Sequence, residues 1–159
     1  MYQVIQFTDL KEYTNFVLPW LYQNEVVNSR NIGMLDAWQT NDNSKLLLVI
    51  LSGNQVVGSA IQGNAANSHL ALSLMSSDMA CELAKYLHND NYLPTTVTGD
   101  KTTVNEFVFE LSQLYSLQAV VIHDLETLLL VKDSFKPNKL KNIFALLPTT
   151  DREYNHIYR

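Results

Sequence analysis

A chain of 159 residues, 47% of them apolar and with a net charge of −5, is long enough to bury one sizeable core and has the length of a single domain. Its 11 basic residues are scattered from Lys11 to Arg159 and form no positive stripe, which argues against nucleic acid or an anionic membrane as partner. No apolar run approaches the roughly 20 residues that span a bilayer, and the start MYQVIQFTDLKEY lacks the regions of a signal peptide, so a cytoplasmic location is expected.

The chain reads as mixed strand and helix. Tyr2 to Phe7 is a short β-prone run, and Asp9 with Glu12 has capping-box spacing for a first helix. Leu10, Tyr13, Phe16, Val17 and Trp20 recur at helical spacing, and Pro19 is expected to end or bend this helix near Trp20 and Tyr22. Asn24 is the expected cap of a second helix with Glu25 in its first turn. Val27, Met34, Leu35 and Trp38 would form its apolar side, and the polar stretch from Thr40 to Ser44 would close the helical pair. The run from Lys45 to Leu51, the turn Ser52-Gly53-Asn54 and the run from Gln55 to Ile61 predict a hairpin, with Gly58 marking a bulge or a close backbone approach. From Asn67 to Leu74 the leucines 70, 72 and 74 alternate with His69, Ala71 and Ser73 as in a half-buried strand.

Ser76-Ser77-Asp78 then opens a helix with Met79, Leu83 and Leu87 as its stripe, beside Ala80, Ala84 and Tyr86, and the polar group His88 to Asn91 ends it. Pro94 to Gly99 is a short β-prone piece. Thr103 and Glu106 repeat the capping-box spacing before Val104, Phe107, Val108, Leu111, Leu114 and Tyr115, which line one helical face. Leu117 to Ile122 and Thr127 to Val131 are two further β-prone runs, separated by a turn or bulge at His123 to Glu126. Pro137 punctuates the chain, and the tail from Leu140 to Arg159 passes from apolar to polar.

This order of strand, paired helices, antiparallel hairpin, third strand, helix, strand, helix and strand resembles the GNAT acetyltransferase superfamily. More narrowly it resembles the N-terminal half of bacterial proteins with two tandem GNAT-like domains. The matching pieces are VIQFTDLKEY, NEVVNSRNIGML, LLLVILSGNQVVGSAIQ, and YLPTTVTGD before TVNEFVFELSQLY, within the span from Tyr2 to Lys132. The resemblance implies an α/β (α+β) fold with a GNAT-like mixed, mainly antiparallel central sheet flanked by helices over residues 1–134. It implies acyl transfer from acetyl-CoA to an amine, and, after the fourth strand, an Arg or Gln with a glycine-containing loop that binds the cofactor pyrophosphate at a helix N-terminus. The tail 135–159 contains ALLPTTDREYNHIYR, which is similar to the start of a second GNAT domain and reads as a truncated one.

The segment equivalent to that loop is Leu74-Met-Ser-Ser-Asp-Met-Ala-Cys81, which has neither the glycines nor the basic residue; no glycine occurs between Asn64 and Thr98. Bare backbone N–H groups reach a pyrophosphate closely where no Cβ intervenes. Serine hydroxyls and a helix start still attract anions, but Asp78 sets a negative charge where the positive helix end is needed and reads as a cap or first-turn acid. Acetyl-CoA is therefore implied by the resemblance and opposed by the residues.

None of the remaining polar residues forms a catalytic motif. His69, His88, His123 and His156 lack the short spacing of a metal pair, so no metal is expected. His123 and Asp124 are a general base and its orienting acid in type, yet neighbours along a strand point to opposite faces. Tyr115 stands near where the resemblance implies a tyrosine general acid, and also on the apolar face of its helix, where it reads as packing. Glu110 and Glu126 are bases by type and surface residues by base rate. The lone Cys81 has no cysteine partner and is expected as a core thiol. Two functions follow: a GNAT-like N-acetyltransferase, or a non-catalytic GNAT-like module whose partner is a second GNAT domain or another copy of itself.

Overall fold

The computed structural model describes residues 2–38, 46–63 and 69–122. The predicted polar closure at 40–44, the strand at 127–131 and its preceding turn, and the tail 135–159 lie outside the described residues. The chain divides into two compact units, Met1–Val120 and Val121–Arg159, and every element below belongs to the first.

Ten segments follow in chain order: β1 (Tyr2–Phe7), α1 (Leu10–Leu21), a 3-10 turn (Tyr22–Asn24), α2 (Glu25–Ala37), β2 (Leu46–Ser52), β3 (Gln55–Gln62), β4 (His69–Leu72), α3 (Ser77–Asn89), β5 (Thr96–Thr98) and α4 (Lys101–Tyr115). The strands form one sheet in the order β1-β2-β3-β4-β5. The first three pairings are antiparallel and β4 with β5 is parallel. The expected mixed, mainly antiparallel sheet flanked by helices is what the chain adopts.

The apolar run in β2 is continuous because both faces of this inner strand are covered. Leu48 and Ile50 join the core under α3 and α4, while Leu47, Val49 and Leu51 join the core under α1 and α2. The hairpin turns at Gly53, where φ is 60°, a value that favours glycine. Its register shifts between Ile50 and Leu51, leaving Val57 unpaired beside Gly58, as the glycine predicted. A Cβ on Gly58 would lie 3.1 Å from Ile50 Cδ1 and 3.4 Å from Met75 Cβ, so this bulge also makes room for the chain leaving β4.

Asp9 caps α1 by accepting the Glu12 N–H at 2.7 Å, as its spacing predicted. Pro19 does not stop the helix, which runs on to Leu21 before tightening into the 3-10 turn. Asn15 and Pro19 are both exposed, so the hydrogen bond that the proline cannot donate is lost on the solvent side of the helix rather than in the core. Asn24 does precede α2, but its side chain makes no cap bond.

The inward face of α2 is the expected one in part: Leu35 is buried and Met34 and Trp38 pack partly buried against the same core, but Val27 is 44% exposed and the other buried positions are Asn28, Asn31 and Ile32. Two asparagines turn inward because backbone polar groups wait there for them. In α4 the cap is Asp100, which accepts from the Thr102 and Thr103 N–H groups. The predicted cap Thr103 instead lies one turn inside the helix and fully buried. Leu117, Val120, Val121 and Ile122 are exposed and form no strand, contrary to the β-prone reading of that run.

Candidate functional site

The place where chemistry is expected is the end of β4 and the start of α3, corresponding to Leu74 through Cys81. Sheet pairing stops here for a local reason. Ser73 N–H donates to Ser59 O at 2.9 Å, but the Ser59 N–H is received by Ser73 Oγ at 2.8 Å. In a continuing antiparallel pair that N–H would go to the Ser73 carbonyl. The hydroxyl takes the carbonyl's place and the chain turns out of the ladder. The alternation predicted through Leu74 breaks at this step: Leu74 is 37% exposed, and Met75 is buried in its stead at 7%.

The backbone groups freed by that turn are taken up by side chains from both faces of the sheet. From α2, Asn28 Oδ1 accepts the Leu74 N–H at 3.1 Å while its Nδ2 donates to Leu21 O at 3.1 Å. From α4, Thr103 Oγ1 accepts the Met75 N–H at 3.3 Å and donates to Met75 O at 3.0 Å. Asn28 and Thr103 are 1% and 0% exposed. Beside them β5 ends against β4: a Cβ on Gly99 would lie 2.7 Å from the Leu72 carbonyl oxygen. An amide that already serves a buried partner is not a free donor for a ligand, because removing that partner leaves a buried polar group unsatisfied.

The helix that follows offers little to replace them. Ser76 precedes α3 in extended conformation and makes no side-chain cap bond, and Asp78 lies in the first turn, as the sequence implied. Its carboxylate opposes an anion at the positive helix end. Cys81 is half-buried on α3 rather than enclosed in the core. It borders a shallow, open hollow with Tyr2, Asp78, Glu82 and Lys85. Burial first, then the charges of Glu110 and Glu106, push its thiol pKa up, so the thiolate needed for nucleophilic attack is disfavoured. Lys85 is engaged by Glu82 at 3.0 Å.

The remaining sequence candidates do not gather at this site. Tyr115 donates to Tyr92 O at 3.4 Å and packs edge-on against His88, with ring centroids 4.7 Å apart. His88 lies in the last turn of α3, which at 13 residues is about 20 Å long. Tyr115 is therefore at the far end from Leu74 and Met75, holding the chain between α3 and β5 together with the Tyr92 to Gln62 hydrogen bond. Glu110 acts on Cys81 through its charge. His69 opens β4 between Arg30, Thr96 and Thr98, and burial followed by the Arg30 charge lowers its pKa. His123, Asp124, Glu126 and His156 lie outside the described residues.

Of the residues that shape the site, Asn28 and Ser73 were not singled out by sequence as functional, and Thr103 was singled out only as a helix cap. A signal existed for the first of them. Asn28, Asn31, Ile32 and Leu35 follow the i, i+3, i+4, i+7 spacing of a helix face, hidden because two of the four are polar. Among the described residues, no group of three or more His, Cys, Asp or Glu side chains could hold a metal ion, and no helix is long and apolar enough to cross a membrane.

No protein-family model and no curated protein sequence matches the chain. Among solved structures it is similar to an aminoglycoside acetyltransferase, meta-AAC0020, from an uncultured soil metagenomic sample. The crystal structure of that protein in complex with trehalose is 14% identical, covers 80% of this chain and 96% of its own, and has a TM-score of 0.39. Its complex with sisomicin is 12% identical over the same shares, with a TM-score of 0.38.

Proposed function

We propose that this chain is a GNAT-like domain whose cofactor end is filled by its own side chains, and that it works as a non-catalytic module. Its partner would be a catalytic GNAT domain or a second copy of itself. The observation that carries this reading is the occupation of the Leu74 and Met75 N–H groups by Asn28 and Thr103. Those are the amides that follow the fourth strand, where the resemblance puts recognition of acetyl-CoA. With no glycine from Leu74 to Cys81 and with Asp78 at the helix start, the residues do not fit a pyrophosphate. Tyr22, Val26, Val27 and Leu74 are exposed apolar residues that a protein partner could cover.

Acyl transfer from acetyl-CoA to an amine is the competing reading. It is favoured by one feature, the parallel β4–β5 pair with a strand-to-helix turn leading into α3. Thermal unfolding with and without millimolar acetyl-CoA separates the two. A ligand at 100 times its Kd would stabilise the fold by about 2.7 kcal/mol, a readily measured shift in Tm. The module reading expects no shift, and where the partner is a second copy it also expects a dimer by light scattering. A concentration-dependent rise in Tm would overturn it.

A further inference from the structure

His69 stands half-buried at the start of β4 with both ring nitrogens engaged. Nδ1 lies 2.8 Å from Thr96 Oγ1 of β5. Nε2 lies 2.9 Å from Arg30 Nη2 of α2 and 3.1 Å from Thr98 Oγ1 of β5. A guanidinium has donors and no acceptor, so Nε2 must accept from Arg30; the ring is then neutral, with its proton on Nδ1 and directed at Thr96. Protonating Nε2 removes that acceptor and places a second positive charge against Arg30. Of the groups facing the ring from α2 and β5, Arg30 is the charged one. Thr96 and Thr98 are neutral hydroxyls that accept a hydrogen bond as readily as they donate one. A protonated ring keeps both β5 partners and loses α2.

The rest of the attachment of α2 to β4 is also polar. Asn28 holds the Leu74 N–H, and Asn31 Nδ2 reaches Ala71 O at 3.4 Å. Ile32 and Leu35 are the buried apolar residues of this helix, so losing one polar tie matters more here than on a helix with a full apolar stripe.

We propose that His69 is a pH-sensitive latch: neutral, it ties α2 to the sheet through Arg30; protonated, it releases α2 and uncovers the Leu74 N–H that Asn28 caps. Burial and the Arg30 charge both lower the imidazole pKa from its ordinary 6.5 while the latch is closed. In the released state the ring returns toward that ordinary value. The released state therefore binds more protons between the two values, and release is favoured as pH falls through this window, by up to about tenfold per pH unit.

The test is amide hydrogen exchange of Leu74 in the full chain by NMR, expressed as a protection factor so that the intrinsic pH dependence of exchange cancels. Going from pH 7.5 to 5.5, its opening equilibrium is expected to rise, by at most about tenfold. In His69→Gln the amide oxygen accepts from Arg30 and does not titrate, so Leu74 protection should stay level across that range. Equal protection at both pH values in the native chain, or the same loss in His69→Gln, overturns the latch. Should His69→Gln fail to fold, Arg30→Gln serves instead: the His69 titration should move up toward its ordinary value and the loss of Leu74 protection should shrink. An unchanged titration refutes the proposal. No ligand enters these readouts, so they stand or fall apart from the acetyl-CoA experiment.

Discussion

Replacing Thr103 by valine tests whether the end of β4 is held by hydrogen bonds or by packing. The two side chains have nearly the same shape, so the change removes one hydroxyl and opens no cavity. That hydroxyl accepts the Met75 N–H at 3.3 Å and donates to Met75 O at 3.0 Å. Both Met75 groups then lie in a region that is 7% exposed or less, with no partner at the position they now share. Each unsatisfied buried group costs about 1–3 kcal/mol. The long N–H contact weighs at the low end, which gives about 2–4 kcal/mol in total. Thr103→Ser keeps the hydroxyl and deletes one buried methyl, at about 1 kcal/mol. In urea unfolding of the full chain, valine should therefore lower stability roughly two- to fourfold more than serine. In thermal scans, each kcal/mol corresponds to about 2–4 °C at this chain length. If Thr103→Val proves as stable as Thr103→Ser or more so, apolar burial governs this position. The Met75 amide would then be open to other acceptors, and the argument against a bound pyrophosphate would lose one of its two supports, the Leu74 N–H staying with Asn28.

Gly99→Ala and Gly33→Ala should move stability in opposite directions. The first drives a Cβ to 2.7 Å from the Leu72 carbonyl oxygen and 3.1 Å from Leu72 Cβ, and a loss above about 2 kcal/mol is expected by denaturant titration. The second meets nothing within 4 Å in the middle of α2 and should gain about 0.5–1 kcal/mol from helix propensity. Asp100→Ala removes the oxygen that caps the Thr102 and Thr103 N–H groups, at a cost of about 1 kcal/mol. By contrast Asp100→Asn should retain most of the native midpoint. Tyr115→Phe should leave any acetyl-CoA response unchanged while lowering Tm slightly, since its hydroxyl serves Tyr92 O at 3.4 Å; loss of a measurable transferase activity in that variant would return it to a catalytic role.

The elements that were legible in the sequence are those whose partners lie close along the chain. A leucine-rich run, a Gly53 turn and a second β-prone run define the β2–β3 hairpin, and Asp9 with Glu12 defines the start of α1. The apolar stripe of α3, read as Met79, Leu83 and Leu87 beside Ala80, Ala84 and Tyr86, is buried at Ala80, Leu83, Ala84 and Leu87, with Met79 and Tyr86 partly buried. Errors arose where a polar residue has a distant backbone partner. Thr103 has the spacing of a cap, yet its hydroxyl belongs to Met75, 28 positions away. Asn28 looks like a surface residue until Leu74 N–H, 46 positions away, is brought to it. Leu74 keeps the alternation of a strand, but the Ser73 hydroxyl has already ended the pairing.

What the sequence determined by itself is the succession of strands and helices and the absence of glycine between Asn64 and Thr98. Propensity, capping and periodicity act over a few residues, and a phosphate loop is visible or missing at that range. What only the tertiary structure decided is how the freed backbone at the end of β4 is satisfied. Its N–H groups need acceptors once the strand leaves the sheet, and folding brings those acceptors from α2 on one face and α4 on the other. The same convergence sets Arg30 against His69, 39 positions apart. Long-range polar pairs of this kind are not named by any local pattern in the chain, because a single hydroxyl, amide or imidazole suffices and its partner can come from any element that the topology places beside it.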